Sequence, residues 1–222
     1  MQYDQLKECD PDDISDLLPK IQRSFGFRFA KGELEGVRTF GELCDVIVAK
    51  MRQEESEDCT TQQSFYKLRE AIDRVSGEER SGISPITRLE DVFPRDNRRK
   101  LVLKVQRDMG IRLGILGPGT WMMRILTLSI VGSLVEICIH WKYGVAALGT
   151  SVIAIYLAQA TGKKFEVETV GEVAHKMTRE HYLKSRRNPQ TVNPAEIEAT
   201  VRALFCEKLN LEPCTVTRDS TF

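Results

Sequence analysis

The sequence carries no excess of charge: 32 Lys and Arg residues balance 32 Asp and Glu residues, for a formal net charge of +0 over 222 residues. A global attraction to polyanions is thereby excluded, so nucleic acid is not an expected partner and any electrostatic function has to be local. No C-x-x-C pair occurs among the six cysteines Cys9, Cys44, Cys59, Cys138, Cys206 and Cys214, and no apolar signal stretch follows Met1. These absences point to reduced thiols in cytoplasm. Cys44, Cys138 and Cys206 sit among apolar residues at helical spacing, where a thiol serves as a small core side chain. The three histidines, His140, His175 and His181, lack metal-ligand spacing with one another or with cysteine. Gly114, Gly117 and Gly119 form a G-x-x-G-x-G stretch without the Lys-Ser/Thr of a phosphate loop, and read as a flexible approach to the apolar segment that follows. The sequence therefore assigns no catalytic, cofactor-binding or metal-binding residue, and neither enzyme activity nor a cofactor is expected.

What is present is helical periodicity, with 41% hydrophobic residues to supply a core. Ile14, Leu17, Leu18, Ile21 and Phe25 form one stripe, which Pro19 is placed to kink and Gly26 to stop. Thr39 precedes a second stripe of Phe40, Leu43, Val46, Ile47 and Met51, with Glu42 completing a capping box. Residues 53–63 are polar and aperiodic and read as a linker. Further stripes follow at Phe65, Leu68, Ile72 and Val75, and at Leu101, Val102, Val105 and Met109. Residues 183–193 read as a second linker. Asn193 and Pro194 then open a last helix carrying Ile197, Val201, Leu204, Phe205 and Leu209. The fold class expected is all-α.

Between these parts lie two long apolar runs separated by His140-Trp141-Lys142. Tyr143 to Gly162 holds no charged side chain over 20 residues, the length a membrane-spanning helix needs. Trp121 to His140 carries Arg124 near its start and Glu136 near its end; near the tip, the carboxylate reads as interfacial. Trp121, Trp141 and Tyr143 occupy the ends of the runs, as interfacial anchors do. Residues 113–162 are therefore expected to be a transmembrane hairpin, the alternative being a hairpin buried in a soluble domain. Gly132, Ser133, Gly149, Thr150 and Ser151 suit close helix packing in either setting. Bases flank the runs at Arg98, Arg99, Lys100, Lys104, Arg107, Arg112, Lys163 and Lys164, against Lys142 alone at the tip, so both termini are expected in the cytoplasm. The bases Arg95, Arg98, Arg99 and Lys100 suit anionic headgroups or an acidic partner surface.

The phrase RTFGELCDVIVAKM at 38–51 returns as ETVGEVAHKM at 168–177, a T-[FV]-G-E-[LV] element repeated after 130 residues, which implies two related domains. This element resembles the opening of the fourth helix in the acyl carrier protein family. IEATVRALFCEKLNLEPCTVTRDSTF at 197–222 resembles that family's first helix and following loop, and ISDLLPKIQRSFGF with GELEGVRTFGEL, at 14–27 and 32–43, resembles its second to fourth helices. A second copy resembles the same pattern through Phe65, Leu68, Ile72, Ile83, Leu89, Asp91 and Val92, then Leu101 to Met109, and resumes at Phe165 after the hairpin. The resemblance implies two helical bundles, the first of them circularly permuted. Residues 1–52 supply helices two to four, 64–112 and 163–182 the two halves of the second bundle, and 194–222 the first helix that completes 1–52 in the same chain or a neighbouring one. Exchange of that helix between chains would build a homo-oligomer.

The resemblance also implies where a phosphopantetheine serine would stand, and it is missing. Asp10-Pro11-Asp12 occupies the position in the first copy and Pro94-Arg95-Asp96-Asn97 the region in the second, with no serine between Ser84 and Ser129. The nearest hydroxyls in the first copy are Ser15 and Ser24. The expected function is that of a non-catalytic, carrier-like binding or scaffold protein at a bacterial inner membrane, with protein partners on its helical surfaces and lipid around the hairpin. Two alternatives stay open: a working acyl or peptidyl carrier modified at an unexpected serine, and a soluble helical interaction protein.

Overall fold

The computed structural model describes residues 5–51, 54–55, 58–76, 82–188, 191–212 and 215–222. Its helices, after a 3-10 turn at Gln5–Glu8, are α1 (Pro11–Ser15), α2 (Leu18–Phe25), α3 (Phe40–Met51), α4 (Thr60–Ser76), α5 (Leu89–Val92), α6 (Arg98–Met109), α7 (Thr120–Ile139), α8 (Trp141–Thr161), α9 (Val170–Glu180), α10 (Tyr182–Ser185) and α11 (Pro194–Leu209). Four two-residue strands make two small pairings: β1 (Glu54–Glu55) runs parallel to β4 (Thr191–Val192), and β2 (Leu116–Gly117) antiparallel to β3 (Lys164–Phe165). The fold is predominantly α-helical with an apolar helical hairpin. Two compact units result, Met1–Ile72 with Val173–Phe222, and Asp73–Glu172.

In the first unit the C-terminal helix fills the core of the N-terminal bundle, within one chain. Ile197, Val201, Leu204 and Phe205 of α11 share one buried cluster with Leu17, Ile21 and Phe25, and with Phe40, Leu43 and Ile47 of α3. Ile47 faces that core, whereas Val46 is only partly buried. The Phe40 and Phe205 rings meet edge to face at 5.5 Å between centroids. The single stripe expected over 14–25 is cut at Asp16–Leu17 into α1 and α2. Pro19 has no N–H to donate to the carbonyl of Ser15 and its ring crowds that carbonyl, so the helix restarts.

The two polar stretches contribute buried residues, Thr60 in one and Ser185, Arg186 and Val192 in the other. Helix α4 already begins at Thr60, which is fully buried; its N–H and hydroxyl both donate to the Glu196 carboxylate, the former at 2.8 Å. Arg186, 1% exposed, donates to the hydroxyls of Thr60 (2.7 Å), Tyr182 (3.2 Å) and Thr191 (3.0 Å) and pairs with Glu196 at 3.5 Å. Composition reads these residues as polar; their mutual hydrogen bonds let them be buried. The unit boundaries accordingly fall inside α4 and α9 rather than in 53–63 and 183–193.

The two copies of the T-[FV]-G-E element sit in matching surroundings. In the first unit Glu42 N–H donates to Thr39 Oγ1 at 3.2 Å, Phe40 N–H to Ser220 O at 2.9 Å and Gly41 N–H to Arg218 O at 2.8 Å. In the second, Glu172 N–H donates to Thr169 Oγ1 at 3.2 Å, Val170 N–H to Thr87 O at 3.0 Å and Gly171 N–H to Pro85 O at 2.8 Å. A Cβ on either glycine would lie 2.8 Å from the carbonyl it bonds, so both positions need glycine. Antiparallel bridges Thr39 to Thr221 and Thr169 to Arg88 complete the likeness.

A second match lies at two glutamines, Gln22 and Gln106. Gln22 and Gln106 each accept from two backbone N–H groups past a helix end, those of Phe27 and Phe29 in one copy and of Ile111 and Leu113 in the other. The intervening Gly26 and Gly110 take φ of 71° and 63°, the left-handed cap that glycine adopts without strain. The signal is a Q-R-x-x-G-x-R phrase at 22–28 and 106–112. The matched pieces run 84–89, 106–113, 168–172 in one copy and 217–222, 22–29, 38–42 in the other, so their order is cyclically rotated.

Candidate functional site

Two places carry the expectations about function: the apolar hairpin and the helix starts where a carrier serine would stand. Helices α7 and α8 span 20 and 21 residues, roughly 30 Å each at 1.5 Å per residue, the thickness of a bilayer's hydrocarbon core. Both are long and apolar enough to cross a membrane. Only 6% of the apolar window of α7 and 17% of that of α8 is buried, so the hairpin is not the inside of a soluble domain formed by the described residues. Among those residues, every exposed large hydrophobic side chain except Tyr66, Ile86, Leu103 and Phe222 lies on these two helices. Trp121, Trp141 and Tyr143 are exposed at the two ends.

What holds the hairpin together is small and polar rather than bulky. Gly144, Ser151 and Ala158 are the buried residues of α8 and Ser133 that of α7, spaced so that one face of α8 lets the backbones approach. A Cβ on Gly144 would collide with the backbone of Ile137. Ser129 Oγ donates to Ser151 Oγ across the interface at 3.0 Å. Gly132 and Gly149, expected in this seam, face open space instead, and Thr150 bonds Ala147 O on its own helix. Cys138 is also exposed rather than core, while Cys44 and Cys206 are buried as expected and Cys214 lies outside the described residues. Glu136 pairs with His140 at 3.3 Å near the tip, both side chains substantially exposed.

The approach to the hairpin is held by strand pairing, close packing and hydrogen bonds. Gly117 lies in β2, Gly119 caps α7, and a Cβ on Gly162 would strike the carbonyl of Gly117. Arg98 donates from Nη1 to Lys163 O at 3.0 Å and stacks its guanidinium 4.3 Å from the Phe165 ring, and Arg99 donates to Gly162 O at 3.3 Å. These bonds satisfy carbonyls just past the end of α8.

At the start of α1, Asp10 caps the helix by accepting from Asp12 N–H at 2.9 Å and Pro11 takes the first helical position. A hydroxyl is absent there. Ser15 is exposed and bonds Asp12 O at 2.8 Å. Ser24 is 1% exposed, donates to Arg179 O at 2.7 Å and accepts from Tyr182 N–H at 3.1 Å, which closes it to any modifying enzyme in the folded state. In the second copy, Pro94 to Asn97 form an exposed turn before α6. No cluster of three His, Cys, Asp or Glu side chains able to hold a metal occurs among the described residues. His175 is exposed.

Burial and local charge shift several groups. The Cys44 thiol is pushed up to about 12 by burial first and by Glu198 second. Glu42 is held below the usual carboxylate range by the N–H groups of Arg38 and Thr39, and Glu33 by its bonds to Lys50 and Ala30 N–H. Lys67 is pulled down by burial and by Arg187. None of these groups meets a second one in the arrangement of a nucleophile and its base.

Compared with family models, curated proteins and solved structures, the chain matches none of them.

Proposed function

We propose that this chain is a non-catalytic, acyl-carrier-like binding or scaffold protein tethered to a membrane, one that docks protein partners without carrying an acyl group covalently. The reading rests first on the ordered series of carrier-like elements and second on Pro11 at the helix start where a carrier needs a hydroxyl. Exposed helical surfaces around α1 and α2 are then the docking face, since a carrier-type bundle offers its second helix to partners. The hairpin supplies the tether, in a bacterial inner membrane with both soluble flanks on the cytoplasmic side.

The observation favouring docking over carriage is the state of the two nearest hydroxyls: Ser24 is sealed in the core, and the exposed Ser15 stands at the last residue of α1 rather than at its start. Incubating the purified full chain with a phosphopantetheinyl transferase and coenzyme A tests this. An unchanged intact mass is expected. An increase by one prosthetic arm, mapped to Ser15 or elsewhere, would overturn the reading and favour a working carrier.

A further inference from the structure

At the foot of the hairpin, within the second unit, lies a cavity of about 490 Å³ walled by Arg95, Arg98, Lys163 and Lys164 against a single carboxylate, Glu90. Four cations and one anion leave a net wall charge of three positive. Glu90 is already engaged by Arg98, at 3.6 Å, and Arg98 spends its other donors on the carbonyls of Phe93 and Lys163. Lys164 donates to Thr120 Oγ1 at 3.1 Å. Arg95 and Lys163 meet no carboxylate among the described residues. Cations converging on one cavity without matching carboxylates favour an external anion.

The chemistry of that anion follows from the other walls. Gly119, Thr120 and Trp121 line the same cavity, so the first turn of a 20-residue helix, with the positive end of its dipole, borders it. Trp121 is 69% exposed beside it and begins the apolar span. Arg124, one turn further on, is exposed as well. A largely exposed indole in the wall, the apolar span that it begins and the cations beside it match one molecule: an acyl chain, a glycerol backbone and a phosphate.

We propose that this cavity binds the phosphate headgroup of an anionic membrane phospholipid, with Arg95, Lys163 and Lys164 as its ligands; the proposal rests on the membrane reading of the hairpin. A diffuse basic surface would attract anionic lipid without a defined stoichiometry, whereas a walled cavity takes one headgroup.

The test uses the full chain in neutral detergent, with native mass spectrometry reading retained lipid. One phosphatidylglycerol is expected to remain bound where phosphatidylcholine does not. The triple substitution Arg95→Gln, Lys163→Gln and Lys164→Gln should weaken retention on the order of one hundredfold. Removing three exposed bases outside the cavity, by Arg88→Gln, Lys104→Gln and Arg107→Gln, should leave it unchanged, and the charge-preserving Arg95→Lys, Lys163→Arg and Lys164→Arg should restore it. Equal loss in both glutamine triples, or equal retention of the two lipids, would overturn the site. Binding of water-soluble glycerol phosphate as tightly as the lipid would overturn the lipid as its source. Insertion of the unaltered chain into pure phosphatidylcholine vesicles is scored separately: its failure sinks the membrane reading, while insertion without headgroup preference sinks the site alone.

Discussion

Replacing Phe205 by Ala probes how the C-terminal helix is held, because the ring is fully buried and lies edge to face with Phe40 in the cluster that joins head to tail. Truncating a buried phenylalanine costs about 3–5 kcal/mol, the lost transfer energy plus the cavity left behind. For a unit of this size, that lowers the unfolding midpoint by roughly 10–20 °C. Circular dichroism on the full chain in a mild detergent reads the change, with α7 and α8 contributing a helical baseline that persists in the micelle. Phe40→Ala should cost a similar amount. The double variant should cost less than the sum by about 0.5–1.5 kcal/mol, the coupling of an aromatic pair. A midpoint within a few degrees of the unaltered chain for Phe205→Ala would refute the shared core.

Removing Glu196 leaves the Arg186 guanidinium buried without its counter-charge, so Glu196→Ala should destabilise the first unit by about 3–5 kcal/mol, measured by urea unfolding; a loss under 1 kcal/mol would show the arginine reaching water. Cys44, its thiol raised from an ordinary value of 9.0 to about 12, should resist maleimide at pH 8 in the folded chain while exposed Cys59 reacts, with peptide mapping as the check. The linkage sign also follows: the unfolded thiol ionises from about pH 9 while the folded one stays neutral, so the stabilisation by Cys44 relative to Cys44→Ala should shrink as pH rises from 9 towards 12.

Much of this was legible because local chemistry determined it. Thr39 with Glu42, and Thr169 with Glu172, form their caps from contacts within four residues, and the hairpin declares itself by its length and apolar composition. The glycine of T-[FV]-G-E is visible in the sequence, but its reason, a carbonyl 2.8 Å from where a Cβ would stand, comes from a residue 177 positions away in one copy and 86 in the other. The Q-R-x-x-G-x-R phrase was available in the sequence, yet only the side-chain bonds of Gln22 and Gln106 give it meaning.

The misreadings share a cause. Polar composition at 53–63 and 183–193 predicts solvent, but Thr60, Arg186 and Glu196 satisfy one another across 126 and 136 positions of sequence and so enter the core. Small size suits Gly132, Ser133, Gly149, Thr150 and Ser151 to the hairpin seam, but helical phase admits only Ser133 and Ser151 of these and adds Gly144 and Ala158. Similarly, an apolar neighbourhood around Cys138 signals a core in a soluble helix and an outer face in a lipid-facing one.

The proposed membrane tether is tested most directly by expressing the full chain in bacterial cells and washing the membranes with alkaline carbonate. With α7 and α8 exposing their side chains along lengths that match the hydrocarbon core, the chain should stay in the membrane pellet and leave only with detergent. Recovery of the chain in the carbonate supernatant, or in cytosol before any wash, would contradict the account.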